Sequence, residues 1–298
     1  KNGENNTSMR ILFLLSIFTA IVIGLLFPVN NSFNFLIPIF LGTIILSNMI
    51  DINFRIRDFF RKEIIVFSII NYLILPLIVF LIILKIDPLL KAGLLLIAIT
   101  PAAIGSSIIV KLINGDVKLS ISLTVLSNLM AIFSYPFLLK IYLNGTNVAI
   151  PVFKILLNVI IVIIVPFFLS ILLRRIEIIK KISHNSNRYL NFLVSLIIYI
   201  SISQSSKILK EYEIKKLLFI IIFTIIIAFI YFLTGFLLSR KMDIKKAFSS
   251  SLGQKNTGLC IWIAISNFPP IVALPATIYI IIHHLINAFF ILIFKENK

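Results

Sequence analysis

Residues 251–258 read Ser251-Leu252-Gly253-Gln254-Lys255-Asn256-Thr257-Gly258 and interrupt an apolar segment that extends from Ala247 to Ile265. A lysine at the centre of a membrane-spanning helix costs roughly 2.5–3.5 kcal/mol on insertion scales, so such charges mark functional sites. The glycine and asparagine beside it weaken the helix, and the backbone groups that are freed must face protein or water rather than lipid. The stretch therefore predicts a broken helix, with Lys255 beside whatever the protein moves or senses.

The composition indicates a membrane protein. Of the 298 residues, 60% are hydrophobic and only 13% are charged, whereas soluble domains average about 25% charged residues. The formal net charge is +17, but the basic residues lie in short loops between apolar runs. This pattern is typical of loops on an anionic cytoplasmic leaflet. We therefore expect the lipid bilayer as a partner, no nucleic acid, and no protein partner that the sequence makes evident.

Apolar segments long enough to cross a bilayer, about 20 residues each, recur along the chain. They lie near 10–28, 34–50, 63–84, 89–113, 119–143, 151–174, 187–206, 216–239, 244–267 and 271–294. The fourth contains Thr100-Pro101-Ala102-Ala103-Ile104-Gly105-Ser106-Ser107 and the ninth contains residues 251–258, so both are predicted to be broken. The expected fold is an all-α polytopic membrane protein with ten transmembrane helices.

The two breaks occupy corresponding places in two halves of five spans each. After an N-terminal tail at 1–9, the halves are 10–147 and 148–298. An odd number of spans inverts the second half relative to the first. Paired broken helices in inverted repeats are typical of secondary transporters that work by alternating access, with a binding site near the midplane. The pattern therefore predicts a transporter rather than an enzyme, with its site where the two breaks cross.

The distribution of Lys and Arg predicts the orientation. Basic runs at 55–62 and 174–188 fall in loops on the same side as the N-terminus, and more basic residues lie on that side than on the other. By the positive-inside rule, both termini are expected in the cytoplasm and the protein in the inner membrane of the cell.

The residues of the two breaks are the candidate substrate contacts. The N-terminal ends of half-helices present unpaired N–H groups and a positive dipole end, and both attract anions. Small hydrogen-bonding side chains lie at these ends, namely Ser106, Ser107, Asn256 and Thr257. Small residues also let helices pack closely, but two matched clusters favour a binding role, with an organic anion as the substrate.

At these motifs the chain resembles the bile acid:sodium symporter family. Residues 101–118, followed by Leu119-Ser120-Ile121-Ser122-Leu123-Thr124-Val125-Leu126-Ser127, are similar to the family's P-G-G-x-x-S-N … G-x-V-x-L-S-x-x-x-T-x-x-S stretch. Gly253 to Leu259 is similar to its E-x-G-x-Q-N-S-G-L element, and Ala273-Leu274-Pro275 and His283 match the pattern that follows. The resemblance covers nearly the whole chain. It implies a panel domain and a core domain, with the fourth and ninth helices crossing in the core.

In that family two sodium ions bind behind the crossing. The resemblance implies that the ligands of the first site correspond to Ser106, Ser107, Ser120 and Thr124, and that Asn71 corresponds to a glutamine of the second. Two positions depart from the family. Ser251 stands where the family has a glutamate shared by both ions, and Lys255 stands where it has a glutamine of the second site. These departures argue against sodium at the former ion sites.

The departures replace a bound cation by a built-in one. A carboxylate with two sodium ions leaves one net positive charge, and the ammonium of Lys255 alone supplies the same charge. Two unit charges 4 Å apart repel by about 4 kcal/mol at an effective dielectric constant of 20, which disfavours sodium beside Lys255. We therefore expect an organic-anion carrier that is not coupled to sodium and needs no cofactor. A fixed ammonium predicts a uniporter or exchanger, whereas an ammonium that releases its proton predicts proton coupling.

The residues leave alternatives open. Sodium could remain at the first site alone, or Lys255 could extend to an interface and pair with a loop carboxylate. Ser251 and Lys255, four residues apart, could form the nucleophile–base pair of an intramembrane hydrolase, although the glycine between them interrupts the helix. A passive channel would show conductance far above carrier turnover.

Overall fold

The computed structural model describes residues 15–50, 61–103, 105–179, 187–211 and 213–294 of the chain. Within these residues the secondary structure is helical, and no strand is present apart from one isolated bridge. The predicted all-α class is confirmed. The main helices are α1 Leu15–Leu26, α2 Leu36–Ile50, α3 Lys62–Ile82, α4 Pro88–Ile99, α5 Ser106–Leu112, α6 Val117–Tyr142, α7 Val152–Leu173, α8 Asn187–Glu211, α9 Ile214–Leu237, α10 Met242–Gly253, α11 Thr257–Asn267 and α12 Leu274–Phe294.

Several of the described helices have the length and hydropathy of membrane spans. Five described segments are long and apolar enough to cross a bilayer: Lys62–Ile82, Val117–Tyr142, Val152–Leu173, Leu217–Leu237 and Pro270–Phe294. Shorter apolar helices accompany them at Leu15–Leu26, Ser32–Ser47, Pro88–Ile99, Phe192–Gln204 and Thr257–Asn267. These segments coincide with the predicted spans, so the prediction of a polytopic membrane protein is confirmed. The predicted tail at 1–9 and parts of both basic loops lie outside the described residues.

The chain folds into two compact units. The first unit comprises Lys1–Ile52 and Ile161–Tyr212, and the second comprises Asn53–Ile160 and Glu213–Lys298. Each unit gathers segments from both halves of the sequence, and α7 belongs partly to each. This division agrees with the two domains that the resemblance implied. The inverted repeat of 10–147 and 148–298 stays a prediction.

The first unit pairs α1 with α8 at close backbone distance. A Cβ added at Gly24 would lie 2.9 Å from Ile202 Cγ2 and 3.0 Å from Tyr199 O, so only glycine permits this approach. Tyr199 Oη also donates a hydrogen bond to Phe27 O at 3.0 Å. The pair is therefore held by a small residue and a polar bond, as is common between membrane helices.

The second unit is built around α4, whose residues 94–99 are fully buried. The helix starts where Asp87 accepts hydrogen bonds from two N–H groups of the first turn and Pro88 takes the first helical position. It ends at Thr100, which is extended because it precedes Pro101. The first predicted break thus follows directly from the local sequence.

In the same unit α10 packs tightly against α9. A Cβ added at Gly235 would lie 2.5 Å from Ser249 Cα, so the two helix backbones approach closely at this point. Ser249 Oγ donates to Phe232 O at 2.7 Å and fixes the register of the pair. This packing places the end of α10, and with it the second break, beside Phe232 in the C-terminal half of α9.

Candidate functional site

The two breaks cross and bond to each other through their backbones. Ala103 N donates to Gln254 O at 2.7 Å, and Asn256 N donates to Pro101 O at 2.8 Å. The two bonds form an antiparallel bridge with Lys255 at its centre. Backbone groups that the breaks remove from the helices are thus paired with each other, as an interior without water requires. The structure brings the fourth and ninth spans together as predicted.

Two consecutive side chains of α6 support the crossing. Ser127 Oγ accepts a hydrogen bond from Ala102 N at 3.1 Å, and Asn128 Nδ2 donates to Ala102 O at 2.9 Å. Asn128 Nδ2 also donates to Thr124 O at 2.8 Å, and Asn128 Oδ1 accepts from Asn256 Nδ2 at 3.1 Å. The Asn256 carboxamide in turn caps α11. Asn128 therefore connects both breaks to α6 through hydrogen bonds.

Asn128→Leu is expected to lower the stability of the second unit by about 1–3 kcal/mol, because Ala102 O loses a buried hydrogen-bond donor and Asn256 loses its partner. The measurement is the thermal unfolding midpoint of the detergent-solubilised protein. Asn158→Leu is the matched control, since the Asn158 Nδ2 atom is buried but makes no hydrogen bond. Equal midpoints for the two variants would contradict the role given to Asn128.

The side chain of Lys255 ends in a cage of oxygen atoms. Its Nζ donates to Asn71 Oδ1 at 2.7 Å, to Thr100 O at 3.1 Å and to Ala98 O at 3.4 Å. The ring of Tyr231 lies on another side, with its centroid 3.8 Å from Nζ. Only 1% of the Lys255 surface is exposed. Three acceptors match the three N–H donors of an ammonium, and an aromatic face adds attraction for a cation.

None of the described carboxylates forms an ion pair with this ammonium. Carbonyl dipoles and the aromatic face stabilise the charge instead. The alternative in which Lys255 extends to an interface and pairs with a loop carboxylate is wrong, because Lys255 is buried and its Nζ bonds to Asn71 and two backbone carbonyls. Lys91 shows the contrasting behaviour, because its Nζ reaches back to Leu84 O at 2.8 Å near the start of α4.

Asn71 reaches the cage because α3 contains one wide turn. Residues 70–74 form a π-helical turn, in which Leu75 N donates to Ile70 O, five residues earlier. Pro76 follows and has no N–H to continue the regular ladder, which favours the wide turn at this point. Asn71 is completely buried there. The predicted second-site position therefore does lie against Lys255.

A second polar cluster consists of four buried hydroxyl groups. Ser106 Oγ lies 3.0 Å from Thr124 Oγ1 and 3.3 Å from Ser120 Oγ. Ser120 Oγ lies 3.0 Å from Ser251 Oγ. All four side chains are at most 3% exposed. We call these residues the hydroxyl cluster. Hydroxyl groups both donate and accept, so the chain of four is satisfied internally and carries no net charge.

Three of the predicted first-site residues, Ser106, Ser120 and Thr124, belong to the hydroxyl cluster. The fourth, Ser107, is only half-buried because it lies about 100° around the short helix α5 from Ser106. Ser251 joins the cluster at the position that the resemblance gives to a shared carboxylate. Neutral oxygens at this place could surround a small cation but would not offset its charge.

Ser251 and Lys255 belong to different clusters. Ser251 Oγ pairs with Ser120 Oγ at 3.0 Å, whereas Lys255 Nζ bonds to Asn71 and two backbone carbonyls. Gly253 ends α10 between them, so the regular i to i+4 arrangement is lost. A serine nucleophile needs its base within hydrogen-bonding reach, and here Ser251 and Lys255 bond to different partners. The arrangement therefore does not fit the nucleophile–base pair of a hydrolase.

Sequence reasoning missed Asn128 and Tyr231, and it included Ser127 in a motif without giving it a role. Asn128 carried a usable signal, because Ser120, Thr124 and Asn128 recur every four residues and so share one face of a helix. Tyr231 carried none, since it lies among the Phe and Ile residues of α9 like any packing aromatic. Its hydroxyl donates to Ala98 O at 2.7 Å, which fixes the ring beside Lys255.

Comparison with known proteins yields a match over nearly the whole chain. The sequence model of the SBF-like CPA transporter family matches residues 12–295. No curated protein matches the chain significantly. The matched range includes every helix named above, the crossing of the breaks and both polar clusters.

Proposed function

Because the chain belongs to the SBF-like CPA transporter family, we propose that it is a secondary carrier of an organic anion that works by alternating access without sodium coupling. Membership of the family makes the protein a membrane transporter, and the resemblance read from the sequence motifs is confirmed. The substrate class, the absence of sodium coupling and the mechanism are the proposal.

One observation carries the proposal: the Lys255 ammonium fills an oxygen cage of the kind that a monovalent cation prefers. Asn71 Oδ1 and the carbonyls of Thr100 and Ala98 surround its Nζ at 2.7–3.4 Å. A sodium ion in the same cage would compete with the ammonium for these oxygens and would be repelled by its charge. A covalently attached cation supports a transport cycle that needs no sodium to hold the crossing together.

The charge at the crossing supports an anionic substrate. Lys255 is too buried to touch a substrate, so it acts through its field together with the N-terminal end of α11. Ser106 and Thr257 are buried as well, whereas Ser107 and Asn256 are half-buried and are therefore the better candidates for direct contact. A carboxylate or sulfonate accepts hydrogen bonds from such groups.

We place the protein in the inner membrane, with both termini in the cytoplasm. The support is the larger number of Lys and Arg residues in the loops on that side. Single cysteines introduced at Lys111 and at Lys140, in a Cys260→Ala background, would check the orientation. The measurement is the reaction of each cysteine with a membrane-impermeant thiol reagent in intact cells.

Uptake of labelled taurocholate, pantothenate and 2-oxobutyrate into proteoliposomes is expected to proceed equally with and without a sodium gradient, because Lys255 supplies the cation. The sodium-free arm contains potassium or choline salts, and a third arm imposes a proton gradient. Stimulation by the proton gradient would indicate proton coupling, whereas indifference would fit a fixed ammonium. Stimulation of the transported probe by sodium alone would overturn the proposal.

A second candidate is symport with one sodium ion at the hydroxyl cluster. The observation in its favour is the convergence of four buried hydroxyl groups from α5, α6 and α10. This candidate requires sodium-stimulated uptake that is lost in Thr124→Val. The absence of an acidic residue in the cluster weighs against it, because alkali cations in proteins are usually held with charge compensation.

A further inference from the structure

Two turns at one end of the second unit are docked against each other. Asp116 N, in the turn between α5 and α6, donates to Asp243 O in the first turn of α10 at 3.0 Å. A Cβ added at Gly115 would lie 2.9 Å from Lys246 Cβ and 3.2 Å from Asp243 O. Only glycine fits at this contact, so the two turns have one defined arrangement.

Cations are concentrated on these docked turns. Lys111, Lys118, Arg240 and Lys241 are exposed, and Lys245 and Lys246 are half-buried. We call these six residues the basic collar. None of the described carboxylates forms an ion pair with a residue of the collar, and the nearby Asp116 pairs with Arg61 at 3.3 Å. A positive surface without internal partners fits an external anion.

The two half-buried lysines are held beside the apolar ends of helices. Lys245 Nζ lies 4.9 Å from the ring centroid of Phe236 near the end of α9, and Lys246 Nζ lies 5.0 Å from that of Phe294 at the end of α12. Leu237 and Met242 beside them are 68% and 49% exposed. Ammonium groups and exposed apolar side chains therefore meet at the level where an apolar span gives way to a polar turn.

We propose that the basic collar binds the headgroup phosphate of an anionic phospholipid, with the acyl chains along Leu237 and Met242. The exposed apolar side chains favour a lipid over a soluble phosphate, because only a lipid would contact both the cations of the collar and the apolar side chains beside them. A juxtamembrane Lys or Arg contributes about 1 kcal/mol of attraction to an anionic membrane surface. The inference is independent of the substrate and of the coupling ion.

The position of the collar gives the lipid a regulatory role. The docked turns carry α5 and α10, and these helices end at the two breaks, at Ser106 and at Gly253. A phosphate that bridges the turns stabilises the arrangement in which α5 and α10 are joined, and so stabilises the crossing itself. Anionic lipid content is thereby linked to the stability of the transport site.

The test compares thermal unfolding of the full chain in micelles containing phosphatidylglycerol or phosphatidylcholine. Phosphatidylglycerol is expected to raise the unfolding midpoint of the wild type. In the Lys241→Gln, Lys245→Gln, Lys246→Gln triple variant, its affinity is expected to fall by roughly 100-fold, at about fivefold per lysine. The matched control is the Lys85→Gln, Lys140→Gln, Lys215→Gln triple variant, which removes three exposed cations of the same unit away from the collar and should respond like the wild type.

Two outcomes would overturn the proposal. One is an equal phosphatidylglycerol effect in both triple variants. The other is the same stabilisation by glycerol 3-phosphate, which would indicate a site for soluble phosphates. If the collar triple variant is not recovered folded, the number of phosphatidylglycerol molecules co-isolated with the wild type and with each single collar variant, counted by native mass spectrometry, decides the question.

Discussion

Lys255→Gln is expected to abolish transport in sodium-free buffer and to make the thermal stability of the protein depend on sodium. The substitution removes the cation from a cage in which Asn71 Oδ1 and the carbonyls of Thr100 and Ala98 are its acceptors. Ala98 O keeps its hydrogen bond from Tyr231 Oη, but Asn71 Oδ1 and Thr100 O lose their donor. Buried acceptors left without a donor cost about 1–3 kcal/mol each, so a loss of several kcal/mol is expected. The two breaks lose the bond that joins them to α3.

Sodium is expected to restore part of this stability in the variant. A sodium ion could bind to Asn71 Oδ1, two backbone carbonyls and the introduced amide oxygen, and it carries the same charge as the missing ammonium. Oxygen atoms of this kind are the ligands of hard cations. A sodium concentration of 100 times the dissociation constant stabilises a protein by about 2.7 kcal/mol. The wild type, whose cage already holds an ammonium, should not respond.

The measurement is the unfolding midpoint in sodium chloride and in choline chloride at equal ionic strength. Lys91→Gln is the matched control. Lys91 is also buried and donates to a backbone carbonyl, that of Leu84, but it lies away from the breaks. Sodium stabilisation of the wild type, or transport by Lys255→Gln that is indifferent to sodium, would show that the ammonium does not replace an ion.

The breaks were predictable because their causes are local. Pro101 has no N–H and forces Thr100 into an extended conformation, so the fourth span must end there whatever surrounds it. At the other break Gly253 and Asn256 supply the end of one helix and the cap of the next. The crossing follows because unpaired backbone groups inside a membrane protein must find each other or water.

The contents of the two polar clusters were only partly predictable, because they depend on how helices from distant parts of the chain are rotated. Ser106 and Ser107 are equivalent in the sequence, yet the rotation of α5 buries the first and leaves the second half-buried. The sequence indicates that Ser251 replaces an ion ligand, but its pairing with Ser120 depends on the packing of α10 against α6. The place of Tyr231 beside Lys255 is likewise a property of the tertiary structure alone.

Gly253→Ala is expected to destabilise the second unit by about 1–3 kcal/mol or more, and to reduce transport strongly, because the break has no room for a methyl group. A Cβ added at Gly253 would lie 2.3 Å from Cδ2 and Cγ of the Phe232 ring. The ring has little freedom to withdraw, since it is 4% exposed and packs edge-on against Phe290 at a centroid distance of 5.5 Å. The Phe232 backbone is also fixed, because Ser249 Oγ donates to its carbonyl.

The clash must therefore move the backbone of the break itself. Gly253 O accepts a hydrogen bond from Tyr279 Oη at 2.8 Å, so a shift of Gly253 away from α9 weakens its bond to α12 and displaces Gln254 and Lys255 with it. Gly105→Ala, at the other break, is the matched control, because no atom lies within 4 Å of its added Cβ. The unfolding midpoint and the uptake rate are expected to be clearly lower for Gly253→Ala than for Gly105→Ala. Equal midpoints and equal uptake rates would show that the crossing accommodates a methyl group. They would contradict a rigid cage around Lys255.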